Sequence, residues 1–176
     1  LILLVTGILL ATGAISGWIA ARNQSERLHA AMRGNSAIMV KSLSENAAHH
    51  LVLQDFAGLE AYLLKSAELP DTLRLQVCEP NGMIIGDVER SPGMKPHALS
   101  RIVHLSPPSQ HSATITVADD TLIIWEPIAA GSLIGWIKAT YSMSSIREAQ
   151  AHTLKESLLL SLLWAACSGV LLLLVL

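Results

Sequence analysis

Charged side chains are scarce in this chain: they make up 15% of its 176 residues, and the 12 Lys and Arg nearly balance the 14 Asp and Glu. With no basic patch, there is no case for a nucleic-acid partner. Cysteine is scarcer still. Cys78 falls in a segment that reads as a strand and Cys167 in a long apolar run, so no intramolecular disulfide is expected. No H-E-x-x-H, G-x-S-x-G, phosphate-binding glycine loop or paired-cysteine motif occurs, and an enzyme within this stretch has little support. His97, His104 and His111 recur at equal intervals, but only the first two could share a helix face, and no Cys or nearby carboxylate completes a zinc spacing. The neighbours His49 and His50 would point about 100° apart on a helix, which rules out chelation from one face. All five read as surface or packing histidines, and neither metal nor cofactor is expected.

Apolar residues, by contrast, are half of the chain at 51%. Leu1–Ala21 and Leu158–Leu176 carry no charge, and each is long enough, at roughly 1.5 Å per residue, to cross a hydrocarbon core of roughly 30 Å. Two transmembrane helices, 1–21 and 158–176, are therefore expected, which places both ends on one side of the membrane. A cleaved signal peptide ending near Ile19-Ala20-Ala21 is the alternative for the first. The chain begins with Leu and stops inside an apolar run, so an excerpt from a longer protein is expected. Gly13 and Gly17, four residues apart, and Ala165 and Gly169 in the second run form small-residue lines on which helices can pair into a homodimer. Glycine is also simply common in membrane helices.

Between the runs the pattern is that of an α+β domain over 22–144. The spacing of Leu28, Met32, Met39, Leu43, Ala47 and Leu51 predicts one long helix over 22–53, with Gly34-Asn35 as its weak point. A second helix is expected from Asp55, a plausible N-cap, to Ser66. Leu73, Leu75 and Val77 alternate with Arg74, Gln76 and Cys78, and Asn81-Gly82 as a two-residue turn sets Arg74 opposite Glu89 and Gln76 opposite Asp87. The segment 91–112 is rich in Pro, and only His97–His104 reads as a short helix within it. Asp119-Asp120 as a turn sets Val117 against Leu122 and Ile115 against Ile124. A loop at Ala129–Ser132 then sets Trp125 against Trp136, Ile124 against Ile137 and Leu122 against Ala139. This makes Leu122, Ile124, Ile128, Leu133, Ile137 and Ala139 one apolar face and leaves Trp125, Trp136 and Lys138 on the other. Gly135 lies on the apolar face, where a missing side chain admits another backbone. Pro127 marks an edge or bulge. Ser145-Ile146-Arg147-Glu148 matches a capping box, and a helical connector over 145–157 is expected to run into the second apolar run.

Three pieces of this pattern carry a resemblance: Val77-Cys78-Glu79-Pro80-Asn81-Gly82-Met83-Ile84, Trp125-Glu126-Pro127-Ile128, and Leu133-Ile134-Gly135-Trp136 leading to Ser142. Together they resemble the PAS-like extracytoplasmic Cache (PDC) sensor domains that lie between two membrane spans in histidine kinases, diguanylate cyclases and chemoreceptors. The resemblance implies a PAS-like five-stranded antiparallel sheet with a long N-terminal helix, in a two-pass protein of the bacterial inner membrane whose central domain is periplasmic. It also implies signal output through a histidine kinase or a cyclic-di-GMP enzyme. The turn carries Glu79-Pro80-Asn81 where the family usually has Asp, and the family's amino-acid-binding motif is absent.

On the polar sheet face, Arg74, Gln76, Trp125, Trp136 and Lys138, closed by a loop carrying His97 and Arg101, mix aromatic and cationic groups in a way that suits a small organic anion. Equally, Trp125 and Trp136 read as a cross-strand pair packed beneath that loop. The function expected is a sensing module, bound by a small molecule or a periplasmic protein and seated in the lipid bilayer. An envelope protein that binds another protein and signals nothing is the alternative.

Overall fold

The computed structural model describes residues 22, 27, 30–91, 93–100, 104–118 and 120–144. The expected spans 1–21 and 158–176, the connector 145–157 and the small residues Gly13, Gly17, Ala165 and Gly169 lie outside these. Among the described residues no helix is long and apolar enough to cross a membrane. The chain divides into two units, and Met32–Ser144 forms one of them. Of the other, the described residues 22, 27, 30 and 31 are helical and exposed.

Helix α1 runs over 30–52 without a break at Gly34-Asn35. Its stripe of small and apolar residues, Ser36, Val40, Leu43, Ser44 and Ala47, is buried, the three-to-four-residue recurrence of a helix that covers a core on one side. The helix stops where Gln54 takes a left-handed backbone, φ 54°, and Asp55 restarts the chain. Its carboxylate accepts from the Gly58 N–H at 2.9 Å, capping α2, Phe56–Ser66, as expected. Gly58 is needed there, since a Cβ would collide with the Asp55 carboxylate.

The sheet has strands β1 Thr72–Cys78, β2 Ile84–Glu89, β3 His97–Ala98, β4 Thr114–Ala118, β5 Thr121–Ala130 and β6 Ser132–Ser142, all antiparallel, in the order β3-β2-β1-β6-β5-β4. Six strands replace the five expected, because His97–His104 does not form a helix among its described residues. His97 and Ala98 pair with Glu89 and Val88, the Leu99 N–H donates to the Asp87 carbonyl, and His104 bridges Met83. The reason is the outer edge of β2, whose backbone groups need partners that a local helix would not supply.

The β4–β5 register and most of the β1–β2 register are those expected: Ile115 faces Ile124, Val117 faces Leu122, Arg74 faces Glu89 and Gln76 faces Asp87, whereas nearer the turn a bulge at Val77-Cys78 sets Cys78 opposite Ile84 and the loop is Pro80-Asn81-Gly82, three residues and not the two expected. The β5–β6 register is not. Trp125 faces Lys138, Ile124 faces Ala139 and Leu122 faces Tyr141, while Trp136 lies opposite Pro127. The strands pair on to Ala130 and Ser132, and the turn closes at Gly131, whose φ of 78° lies in the left-handed region. The slip is two residues. It therefore moves every pair yet leaves every side chain on its face. Pro127 sits past the point where β4 ends opposite Trp125, so β5 has an unpaired edge there and the missing N–H costs no ladder bond.

Both helices pack on one face. Leu59 and Leu63 of α2 lie against Gly86 of β2, where a Cβ would come within 2.9 Å of Leu63. Leu51 of α1 reaches Gly135, whose missing side chain also admits the Cys78 carbonyl of β1 at 2.7 Å from a would-be Cβ. Leu75, Val77, Val88, Leu122, Ile124, Ile128, Ile137 and Ala139 complete this core, all fully buried. Leu133, expected with them, is only half-buried near the hairpin tip. Truncating Leu63 to Ala would cost about 2–5 kcal/mol by the usual cavity penalty.

Candidate functional site

The opposite face is fixed by the registers. One cross-strand row runs Asp87, Gln76, Lys138, Trp125 and Thr114, and the next runs Glu89, Arg74, Thr140, Ile123 and Thr116. Cys78 and Trp136 stand opposite one another in the row on the other side. Arg74, Gln76, Trp125, Trp136 and Lys138 thus share one face. His97 sits opposite Glu89 at its border, exposed on the edge strand. Arg101 lies outside the described residues.

Neither helix covers this face, yet Trp136 is 2% and Gln76 4% exposed. The chain from β3 to β4 must pass from one edge of the sheet to the other. It starts across where the Leu105 N–H donates to the Gly82 carbonyl at 2.9 Å. Gly82 has φ 92°, and a Cβ on it would collide with the Leu105 carbonyl oxygen, so the Pro80-Asn81-Gly82 turn is both a turn and a seat for that crossing.

Arg74 is engaged. Its Nε donates to Asp87 Oδ1 at 2.8 Å and its Nη2 to Oδ2 at 2.5 Å, with Glu89 at 4.0 Å from Nη1. The Asp87 side chain is wholly buried while that of Arg74 is 30% exposed, so this guanidinium is the counter-ion of an internal carboxylate. The bond to Asp87 raises the Arg74 pKa above its ordinary value. Among the described residues the cation left on the face is Lys138, whose Nζ stands 5.5 Å from the Trp125 ring centroid, within cation–π range. Trp125 and Trp136 meet edge to face, centroids 6.4 Å apart. They do so as diagonal neighbours and not as a directly opposed pair. Burial pushes the Cys78 thiol up to about 11 against a smaller pull from Lys138, which leaves it an inert thiol at neutral pH.

Asp87 is the residue that sequence reasoning left out of the site. Its signal was present, since a two-residue turn at Asn81-Gly82 already sets it beside Gln76 and one pair from Arg74. Elsewhere, a cavity of about 160 Å³ opens at the other end of the sheet among Asp71, Thr72, Arg90, Ser91, Ser142 and Ser144. Arg90 Nη1 donates to the carbonyls of Glu68 and Leu69 at 2.9 Å each, so its charge closes the C-terminus of α2. Among the described residues no group of three His, Cys, Asp or Glu could hold a metal ion. His50 instead lies 3.1 Å from Asp55.

No family model and no curated protein matches this chain. Among solved structures it is similar to one described as the "extracellular domain of the putative histidine kinase vpHK1S-Z8", with a TM-score of 0.62 at 10% sequence identity. The match covers 80% of this chain and 62% of that one, so this chain spans about three fifths of that structure's length. At this identity the likeness is one of fold, a helix-backed antiparallel sheet.

Proposed function

We propose that this chain is the sensing module of a membrane receptor, with residues 22–144 outside the cytoplasm between two membrane spans. The observation that carries the reading is where the chain enters and leaves the unit Met32–Ser144. The Tyr141 hydroxyl donates to Met39 Sδ at 3.6 Å, so the first turns of α1 lie beside the last residues of β6. Entry and exit are therefore at the same end of the sheet, as a domain hung from two adjacent spans requires. The fold likeness to an extracellular domain of a kinase supports the same reading. A PAS-like Cache identity, an output through a histidine kinase or a cyclic-di-GMP enzyme, and pairing into a homodimer along Gly13, Gly17, Ala165 and Gly169 belong to this proposal.

The sensing surface is the face of Gln76, Trp125, Trp136 and Lys138 with His97 at its border, and its ligand is a small organic anion. Arg74 serves there by holding Asp87, which leaves Lys138 as the charge that recruits the ligand beside two indoles. The test is intrinsic tryptophan emission of the 176-residue chain in detergent micelles, titrated with acetate, succinate and citrate. A saturable change with at least one anion, lost in Lys138→Met, is expected. A flat response to all three returns the two indoles to a packing role.

A further inference from the structure

The cavity at the entry and exit end of the sheet has no part in the Lys138 face. Thr72 faces Tyr141 across β1 and β6, and the backbone stitches the walls together: the Ser142 N–H donates to the Asp71 carbonyl at 2.7 Å and the Arg90 N–H to that of Leu73 at 2.8 Å. The space is therefore framed by three strand ends. Its volume is about 160 Å³, the room of about five waters at roughly 30 Å³ each. Gly93, on its wall, has open space where a Cβ would stand.

What the wall offers is mostly hydrogen-bond donors. Thr72 is 2% exposed, yet among the described residues its Oγ1 has no hydrogen-bond partner. A buried hydroxyl in that state calls for an explanation, and a ligand in the adjoining space supplies one. Arg90 makes its three bonds, to the carbonyls of Ala67, Glu68 and Leu69, through Nη1 alone. These fix the guanidinium without involving its Nε and Nη2, the edge of the fork that grips two oxygens of one oxyanion. Ser142 donates to Ser144 Oγ at 2.8 Å and accepts the Ser144 N–H at 3.1 Å, so the Ser144 hydroxyl proton is not spent in that pair. Ser91 adds a further hydroxyl. Asp71, the carboxylate on the wall, already has a partner. Donors converging from three strand ends suit a group with acceptors on every side, as a tetrahedral oxyanion has and a flat carboxylate has not.

We propose that this cavity binds a phosphate group, held by Arg90 and by the hydroxyls of Thr72, Ser91 and Ser144. Bound there, it links β1, the chain after β2 and the end of β6 just where the chain leaves the unit. Two sources share this chemistry. Under the two-span reading the end of the sheet beside Tyr141 and Met39 lies nearest the bilayer, so a lipid headgroup can supply the phosphate; free inorganic phosphate can supply it in any compartment. Only the lipid source rests on the two-span reading; the site itself does not.

Equilibrium dialysis of radiolabelled inorganic phosphate against the 176-residue chain in dodecyl maltoside micelles tests the proposal. Saturable binding of one phosphate per chain is expected, weakened at least fivefold in Thr72→Val and at least tenfold in Ser91→Asp. Thr72→Val also guards against misfolding: without phosphate it should resist urea at least as well as the parent, because it removes a buried hydroxyl that has no partner. No saturable binding overturns the proposal, as does binding that both variants leave unchanged. Loss of binding in Lys138→Met would place the phosphate on the other face and overturns it too. So does a Thr72→Val chain that unfolds earlier without phosphate, since its hydroxyl would then already be bonded. Phosphatidylglycerol added to the micelles separates the sources: displacement of the label assigns the site to a lipid headgroup, and its absence to free phosphate. None of these measurements depends on whether the Lys138 face takes an organic anion.

Discussion

Asp87 shows how a single buried charge decides what its neighbours are free to do. Its side chain is wholly enclosed and is matched by the two-toothed contact with Arg74. Removing one partner of such a pair strands the other, at about 3–5 kcal/mol, whereas replacing both by apolar groups is often neutral. Because Arg74 is part-exposed, Arg74→Met should fall at the low end, about 3 kcal/mol. The double variant Arg74→Met with Asp87→Leu should recover most of that loss. Urea unfolding of the four members of this cycle measures it. A double variant as unstable as the single would mean that the pair itself, and not relief of a stranded carboxylate, holds this part of the sheet.

Elements were legible in the sequence to the extent that their periodicity came with a punctuating residue. The Asp55 cap and the Asn81-Gly82 and Asp119-Asp120 pairs each pinned an element, and the registers they imply are those observed, except beside the first turn, where the bulge at Val77-Cys78 shifts the pairing by one residue. The β5–β6 hairpin had only Ala129-Ala130-Gly131-Ser132 to mark its tip. A loop closing at Gly131 and a four-residue loop satisfy the same face pattern, because a slip of two residues preserves it. β3 was illegible for another reason: two residues have no period, and only the open edge of β2 calls them into a strand. The candidate face came through the slip intact, but the partnership of Arg74 with Asp87 did not show, since a diagonal contact depends on side-chain reach and not on register. The packing of α1 on the sheet carries its own test. Glu126 lies half-buried between Ile124 and Ile128, and loss of water raises its pKa above the ordinary carboxylate value, aided by Glu45 and opposed by Lys41. A carboxyl raised on folding favours the protonated form, so its contribution is complete below the ordinary Glu value and is lost as pH rises through the folded one. Glu126→Gln should therefore be more stable than the parent at pH 7 and indistinguishable from it near pH 4. Thermal melts at the two values decide, and a variant less stable at pH 7 would show that the attraction to Lys41 outweighs the desolvation.

For the whole molecule, the question is which side of a membrane holds the sheet. The two uncharged runs, Leu1–Ala21 and Leu158–Leu176, are each long enough to cross, and within Met32–Ser144 the chain enters and leaves at one end. A domain between two spans must do both, whereas a domain joined in line to flanking domains more often has its ends apart. The segment 105–113, which holds Pro107 and Pro108 and leads into β4, has no strand or helix of its own, which makes it a place where an inserted enzyme need not disturb the core. Alkaline phosphatase, active only after export, should therefore be active when inserted next to Ser109 in bacterial cells, and β-galactosidase at the same site should be inactive. The reverse pattern would put the sheet in the cytoplasm. It would remove the basis for an extracytoplasmic sensor while leaving the fold and the Arg74–Asp87 pair as they stand. A fusion series at Ser109 and after Leu176 adds the two-pass arrangement to the test. Exported activity at the first with cytoplasmic activity at the second is expected, and exported activity at both would mean that the second run does not cross.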